Sequence, residues 1–251
     1  MTDVVMPGGE AFFSLGGPLG VLVLHGLTGT TSSMIDIARR CAAAGYTVSL
    51  PRLPGHGTSV EDMMTTGWSD WSGAALDAYD ELAATCERIA VIGLSVGGGL
   101  AVHVAAHRRD VAALVFINPY IKHPGPDWDT LAQSMLDAGV LTYDSVGSDL
   151  KREGVVETSY DRTPIGPALS WLQAVPEVNA NLSSITAPSL LFTSTVDHVV
   201  EVDNGDELVN KSNGSVERVW LENSYHVATM DNDRELIESR TMAFLAENLG
   251  R

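Results

Sequence analysis

The chain has 251 residues, 45% of them hydrophobic and 19% charged, which is enough to bury one substantial core. Its formal net charge is −17 at pH 7, so nucleic acid and anionic membrane surfaces are disfavoured as partners, because their phosphates would be repelled over most orientations. The two cysteines, Cys41 and Cys86, match no zinc or redox spacing, and no apolar run is long enough to span a bilayer. The first residues, Met1 to Val5, lack the basic segment of a signal peptide, so we expect a single cytoplasmic domain.

The first half of the chain alternates strands with helices. The run from Val21 to Leu24 is unbroken and apolar, which is typical of a strand buried on both faces of a parallel sheet. Helical spacing of apolar residues predicts the helices, the first of which ends at Gly45. The predicted strands are Glu10–Leu15, Val21–Leu24, Tyr46–Leu50, Arg88–Gly93 and Val111–Asn118, and the predicted helices are Ser32–Ala44, Trp68–Leu82 and Val96–His107.

The loop from His25 to Gly29 joins a central strand to its helix. A backbone N–H in such a loop can point across at the end of the neighbouring strand, and we expect the amide of Leu27 to do so. An ordinary turn between strand and helix is the alternative interpretation. His25 itself is expected to brace the loop.

The pentapeptide Gly93-Leu94-Ser95-Val96-Gly97 lies between a short β-branched run and a good helix. This is the G-x-S-x-G pattern of a nucleophile elbow, in which serine sits on a sharp turn at the carboxyl end of a parallel strand. A Cβ two residues before or after the serine would collide with the neighbouring strand or helix, which explains both glycines. The pattern predicts that Ser95 is a nucleophile, with the amides of Leu27 and Val96 as the two donors of an oxyanion hole.

Two further histidine patterns favour structure over chemistry. His56, in the loop Gly55-His56-Gly57, is expected to satisfy backbone groups. His103 and His107 stand four apart on a predicted helix, but no glutamate completes an H-E-x-x-H motif and no third ligand is evident. We therefore predict no metal site and no organic cofactor.

The alternation breaks between Tyr120 and Leu182, where prolines separate two short helical patterns, Trp128–Ala138 and Ala168–Val175. A loop of that length inside a compact domain is anomalous unless it is functional. We interpret residues 120–182 as a cap over the site and residues 1–119 and 183–251 as the core. Residues that could supply an apolar underside for the cap are Trp128, Leu131, Met135, Trp171 and Leu172.

After the cap, strands are predicted over Ser189–Thr193 and Val216–Leu221, before a final helix. Asp197 follows the first of these strands and His226 the second, so both fall at the same sheet edge as Ser95. The chain order serine, acid, histidine agrees with a nucleophile-elbow enzyme. Other residues remain open as alternatives, namely Asp203 or Asp206 for the acid and His198 for the base.

Together these motifs resemble the α/β-hydrolase fold, and in particular the small bacterial carboxylesterases grouped with monoacylglycerol lipases. The stretches that carry the resemblance are His25–Gly29, Gly55–Gly57, Thr66–Trp71, Gly93–Gly98, Lys151–Gly154, Asp197 and His226-Val227. The resemblance implies a mostly parallel twisted sheet with helices on both faces and a small cap inserted before the last strands. It also implies an acyl pocket, a smaller alcohol pocket, and Ser95, Asp197 and His226 as a catalytic triad.

The function expected from these features is a serine carboxylesterase acting through an acyl-enzyme on a small-molecule ester of short to medium acyl chain, such as a monoacylglycerol. The same triad could serve a thioesterase, lactonase, C–C hydrolase or acyltransferase, because a fold alone does not determine chemistry. A catalytically silent protein that binds a ligand under the cap is the alternative outside the enzymes.

Overall fold

The computed structural model describes residues 4–145 and 147–250. Met1, Thr2 and Asp3, part of the start that lacks a basic segment, lie outside the described residues. The strands in the described part of the chain are β1 (Phe12–Ser14), β2 (Leu19–Leu24), β3 (Thr47–Leu50), β4 (Arg88–Leu94), β5 (Val111–Ile117), β6 (Thr142–Asp144), β7 (Arg162–Pro164), β8 (Ser189–Ser194) and β9 (Val216–Leu221). The helices there are α1 (Ile35–Ala43), α2 (Val60–Met63), α3 (Trp68–Ala83), α4 (Val96–His107), α5 (Pro126–Asp137), α6 (Ile165–Asn181), α7 (Asn204–Lys211) and α8 (Arg234–Leu249).

Seven of these strands form one twisted sheet in the order β1-β3-β2-β4-β5-β8-β9. Strand β1 runs antiparallel to β3, and every other pair in the sheet is parallel. The register places Leu94 beside Ile117, and Ile117 beside Phe192, so β4, β5 and β8 end at one edge. Loops that follow these strands therefore emerge together, as the rule for open parallel sheets requires.

Each face of the sheet is covered by its own core. The side chains of β2 alternate, with Leu22 and Leu24 facing the core beneath α3, α4 and α6, and Val21 and Val23 facing the core beneath α1 and α8. All four are fully buried, and burying one such side chain contributes about 1.5–3 kcal/mol to folding. Helices on both faces of a mostly parallel sheet confirm the predicted fold class.

Two predicted helices differ from the structure by three residues or more at one or both ends. The segment predicted as one helix over Ser32–Ala44 begins with a separate 3₁₀ turn, Thr31–Ser33, because the Thr30 hydroxyl accepts the Ser32 N–H and caps that turn. The helix after it ends as expected at Gly45, which has a φ of +86°. Helix α6 is longer than predicted and continues through Pro176.

The segment between β5 and β8 has two different halves. Helix α5 has no buried residue, and β6 pairs with β7 in a small antiparallel sheet. Helix α6 packs on α4, where a Cβ at Gly99 would lie 2.3 Å from the ring of Trp171. Trp171 is 1% exposed and shares the core with Leu100. The second helix of the expected cap thus packs directly on the sheet-covering helices, and the cap boundary at residues 120 and 182 stays a prediction.

Candidate active site

Ser95 occupies a strained turn between β4 and α4. Its φ is +56° and its ψ is −121°, a conformation that a residue with a Cβ rarely adopts. The turn is held because the Ser95 N–H donates to the Ile117 carbonyl at 3.1 Å, and the Ser95 carbonyl accepts N–H groups from Gly98 at 2.8 Å and Tyr120 at 3.0 Å. The residue is 7% exposed and lies at the edge where the parallel strands end.

The two glycines of the pentapeptide are required by close backbone approach. A Cβ at Gly93 would lie 2.1 Å from the Gly97 carbonyl oxygen, and a Cβ at Gly97 would lie 2.3 Å from the carbonyl oxygen of Leu24. Any side chain at either position would force the elbow, α4 and β2 apart. The expectation that glycine is needed on both sides of the serine is confirmed.

His226 and Asp197 are hydrogen-bonded to each other. The distance from His226 Nδ1 to Asp197 Oδ2 is 2.8 Å, and both side chains are more than nine-tenths buried. The other oxygen of Asp197 accepts the N–H groups of Val199 at 2.9 Å and Val200 at 2.8 Å, which fixes the carboxylate in the turn after β8. An acid so held can orient the imidazole and stabilise its protonated form.

The pair has complementary electrostatics. Burial disfavours the charged form of His226, but the negative charge and hydrogen bond of Asp197, together with the charges of Asp149 and Glu157, raise its pKa above the ordinary value. Burial likewise opposes ionisation of Asp197, but the positive charge of His226 and the hydrogen bonds that it receives lower its pKa. Asp197 is thus an anion, and His226 is a stronger base than a free histidine.

The alternative residues make other contacts. His198 is bonded through Nδ1 to Asp149 at 2.8 Å and not to Asp197. Among the alternative acids, Asp203 forms an ion pair with Lys122, and Asp206 forms one with Arg218. The geometry therefore favours Asp197 and His226 over each alternative that the sequence left open.

The loop after β2 holds one of the two predicted oxyanion donors. Thr28 has a φ of +58°, and its hydroxyl donates to the Leu27 carbonyl at 2.7 Å. Within the described part of the chain, the N–H of Leu27 has no hydrogen-bond acceptor. The N–H of Val96 belongs to the first turn of α4, where no intrahelical acceptor exists. Both amides are thus available to a ligand.

His25 braces this loop, as expected. Its Nε2 accepts the Leu53 N–H at 3.2 Å, so Nδ1 carries the proton and donates to the Gly26 carbonyl at 2.9 Å. Burial lowers the pKa of His25 to about 4, which keeps the ring neutral. His56 is also neutral and structural, because burial lowers its pKa to about 3 and its Nδ1 lies 3.0 Å from the Pro54 carbonyl.

One cavity of about 620 Å³ joins the predicted site residues. Its wall includes Ser95, His226, Leu27 and Val96. Of the five residues expected to form an apolar underside, Trp128, Trp171 and Leu172 line the cavity, whereas Leu131 is half-exposed and, with Met135, is not part of the described wall. The cavity is the size of a small-molecule binding site, and these three apolar side chains form part of its wall.

Glu157 is a cavity residue that sequence reasoning missed. It comes from the segment between β6 and β7 and packs against the loop after β2, where a Cβ at Gly29 would lie 2.6 Å from its Oε1. Burial raises the pKa of Glu157 to about 7, against the opposing effects of His226 and Ser33. No periodicity or motif marks this residue, because it lies in an irregular segment far from the strands that carry the other site residues.

The described residues contain no cluster of three or more histidine, cysteine or acidic side chains that could hold a metal ion. His103 and His107 stack with ring centroids 4.2 Å apart, and Trp68 contacts the His103 ring edge-on at 5.3 Å. The same part of the chain contains no helix with the length and apolar character required to cross a bilayer.

Comparison with known proteins agrees with this geometry. Residues 19–233 match the Hydrolase_4 family model, described as Serine aminopeptidase, S33. The chain is 41% identical over 249 residues to the thermostable monoacylglycerol lipase of Bacillus sp. (strain H-257), covering 98% of each protein. It is 27% identical over 252 residues to a carboxylesterase of Bacillus subtilis (strain 168), covering 96% of this chain and 97% of the relative.

A solved structure from work on the metagenome-derived lipolytic enzymes LipS and LipT has a TM-score of 0.93 and 38% identity to this chain, covering 97% of it and 100% of the other chain. The chain therefore belongs to the serine aminopeptidase S33 family and has the α/β-hydrolase fold.

Proposed function

We propose that this protein is a serine carboxylesterase that hydrolyses small esters of short to medium acyl chain, monoacylglycerols among them. The observation that carries the proposal is the hydrogen bond from His226 to Asp197 at the wall of the cavity that Ser95 also lines. The relatives named lipase and carboxylesterase support an ester as the substrate. A cytoplasmic location is part of the same proposal.

The reaction proceeds through an acyl-enzyme. His226 removes the proton of Ser95 as its oxygen attacks the ester carbonyl, and Asp197 holds the imidazole and stabilises the imidazolium. The amides of Leu27 and Val96 donate to the developing oxyanion, and each such donor is worth about 3–4 kcal/mol. His226 then protonates the leaving alcohol and later activates the water that releases the acid.

The cavity supports separate places for the two halves of the substrate. The apolar side chains of Trp128 and Leu172 suit an acyl chain. Glu157 lies close enough to His226 for their charges to interact. Since His226 protonates the leaving alcohol in the proposed reaction, Glu157 lies near the alcohol half of the substrate. With a pKa of about 7, this carboxyl can donate or accept a hydrogen bond, so it suits an alcohol that carries further hydroxyl groups.

The test is covalent labelling with a fluorophosphonate probe, followed by turnover of p-nitrophenyl esters of increasing chain length. The wild-type protein should be labelled and active, and Ser95→Ala should be unlabelled, with turnover reduced about 10³-fold or more. Retention of most esterase activity by Ser95→Ala would refute the assignment. Turnover of a monoacylglycerol is then compared with turnover of an aminoacyl p-nitroanilide. The first is the substrate type named for the lipase relative, and the second is an aminopeptidase substrate, as the family description suggests. We expect turnover of the ester only.

A further inference from the structure

The main chain of His226 is held from two sides by side chains of other elements. Its N–H donates to Asp149 Oδ2 at 3.1 Å, and its carbonyl accepts from Asn118 Nδ2 at 2.8 Å. Asn118 follows β5 and also bonds Ser194 at the end of β8, so it is part of the sheet edge. Asp149 instead comes from the segment between β6 and β7, which is far from His226 in the chain.

Asp149 also binds the loop that carries the acid. The same Oδ2 accepts the backbone N–H of His198 at 3.2 Å, and Oδ1 lies 2.8 Å from Nδ1 of the His198 ring. The Asp149 carbonyl accepts the N–H of Val227 at 3.2 Å. The Asp149 side chain is 8% exposed. One buried carboxylate thus joins the residue after Asp197, in the loop that follows β8, to the base itself, in the loop that follows β9.

We propose that Asp149 is a positioning residue for the hydrolysis reaction: it fixes the backbone of His226 relative to the loop of Asp197, and so sets the imidazole between carboxylate and Ser95. This inference rests on the proposed function, in which His226 is the base. The position of the imidazole matters because an error of about 1 Å in a catalytic group can cost on the order of 100-fold in rate. Asp149 does not touch the reacting atoms, and it acts through the main chain of His226.

A second buried carboxylate, that of Asp231, also connects backbone segments but makes no hydrogen bond to His226. Asp231 is fully buried and accepts the N–H groups of Lys151 at 2.7 Å, Arg152 at 2.8 Å and Tyr225 at 2.9 Å. It ties the same segment to the loop before His226. Asp149 differs because it bonds the N–H of His226 directly and faces the imidazole with its charge.

The charge of Asp149 affects the pKa of His226, so that pKa distinguishes the proposed role from a purely structural one. The acidic groups that face His226 are Asp197 from the turn after β8, and Asp149 and Glu157 from the segment between β6 and β7. Against the opposing effect of burial, all three raise the pKa of His226. Loss of the Asp149 charge should therefore lower that pKa, and the acid limb of the pH–rate profile should move to lower pH.

The experiment compares Asp149→Asn, Asp149→Ala and Asp144→Asn, the last being an exposed aspartate of β6 as the matched control. Asparagine keeps an oxygen for the two backbone N–H groups but loses the charge, so Asp149→Asn should retain most of kcat while its acid limb moves down on the order of half a pH unit. Alanine loses both, so Asp149→Ala should lose about 10- to 100-fold in kcat with a small change in KM. Asp144→Asn should match the wild type in both respects.

The same charge effect is measured without turnover by NMR titration of His226 in a Ser95→Ala background. A lower pKa of His226 after adding Asp149→Asn supports the inference, and an unchanged pKa overturns it, whether or not esters are hydrolysed. If Asp149→Ala fails to fold, Asp149→Asn alone decides. If the labelling of Ser95 fails but the titration behaves as expected, the proposed function falls and the link between Asp149 and His226 stands.

Discussion

At the scale of single residues, His226 is a buried base surrounded by acidic groups. Since the charges of Asp197, Asp149 and Glu157 outweigh the effect of burial, its pKa lies above the 6.5 of an ordinary histidine. A general base works only in its neutral form, so the proposed reaction depends on how much of His226 has lost its proton. The proposed reaction should therefore be fastest at pH values above the pKa of His226.

We expect kcat/KM to rise with pH through a midpoint above 6.5, because the raised pKa of the base delays its deprotonation. Asp197→Asn removes the largest factor that raises this pKa, so the midpoint should move to lower pH while kcat falls about 10⁴-fold, the loss seen when a triad acid becomes an amide. The measurement is a pH–rate profile with a p-nitrophenyl ester.

Asp206→Asn is the matched control for that experiment, since Asp206 was an alternative acid and pairs with Arg218 away from the cavity. It should leave the profile unchanged. An equal loss in Asp206→Asn and Asp197→Asn, or a midpoint below 6.5 in the wild type, contradicts the assigned roles.

Residues at strand ends could be predicted from the sequence, whereas residues held by irregular segments could not. Ser95, Asp197 and His226 each follow a predicted strand, and parallel strands bring such positions to one edge. Asp149 and Glu157 lie between short elements with no period, so their approach to His226 depends on how that segment folds back over the sheet. A lone acidic residue in such a segment looks like any solvated surface charge.

At the scale of secondary-structure elements, the contact between α4 and α6 determines how the helix that follows Ser95 is packed. The small residue Gly99 leaves room for the ring of Trp171, which lies at the cavity wall as well as in the core. The sequence predicted a helix around Trp171 but not its contact with Gly99. Gly99 lies directly after the Gly93–Gly98 motif, so its glycine is readily explained by the sharp turn at Ser95 and not by packing against another helix. The helix is longer than predicted and continues through Pro176, although a proline inside a helix removes one backbone hydrogen bond.

Gly99→Ala should destabilise the protein by about 1–3 kcal/mol, because its Cβ would lie 2.3 Å from the Trp171 ring and overpack the interface. Gly73→Ala in α3 is the matched control, since a Cβ there meets nothing within 4 Å. That control should be neutral or stabilising by up to about 1 kcal/mol from helix propensity. Urea unfolding of both variants is the measurement, and a Gly99→Ala midpoint at or above that of the wild type would disprove the packing argument.

At the scale of the whole molecule, the fold class and family were predicted from the order of the motifs, and the structure and relatives confirm both. The seven-stranded sheet brings residues from distant parts of the chain to one edge. No local sequence signal marks the bounds of the cap, because α6 lies within the predicted cap segment but packs with the core. The cap defined by the sequence pattern therefore includes a helix that packing would assign to the core.

The charge of the molecule leads to a prediction of its own. The chain has 32 acidic and 15 basic side chains, so at neutral pH the excess negative charges repel one another and destabilise the folded state. Salt screens this repulsion, and the melting temperature should rise between about 10 mM and about 150 mM NaCl. The rise should shrink as the pH approaches the isoelectric point of about 4.6. Thermal unfolding followed by circular dichroism measures it, and a salt-independent melting temperature at pH 7 would count against net repulsion.

The positive φ of Ser95 sets the requirements of the reaction against those of the fold. A backbone conformation of this kind costs on the order of 1–3 kcal/mol for a residue with a side chain, and glycine would adopt it freely. Selection for heat resistance alone would thus favour glycine at position 95 and discard the hydroxyl. In the proposed reaction the Ser95 hydroxyl is the nucleophile, and that role offsets the conformational cost of serine in this turn.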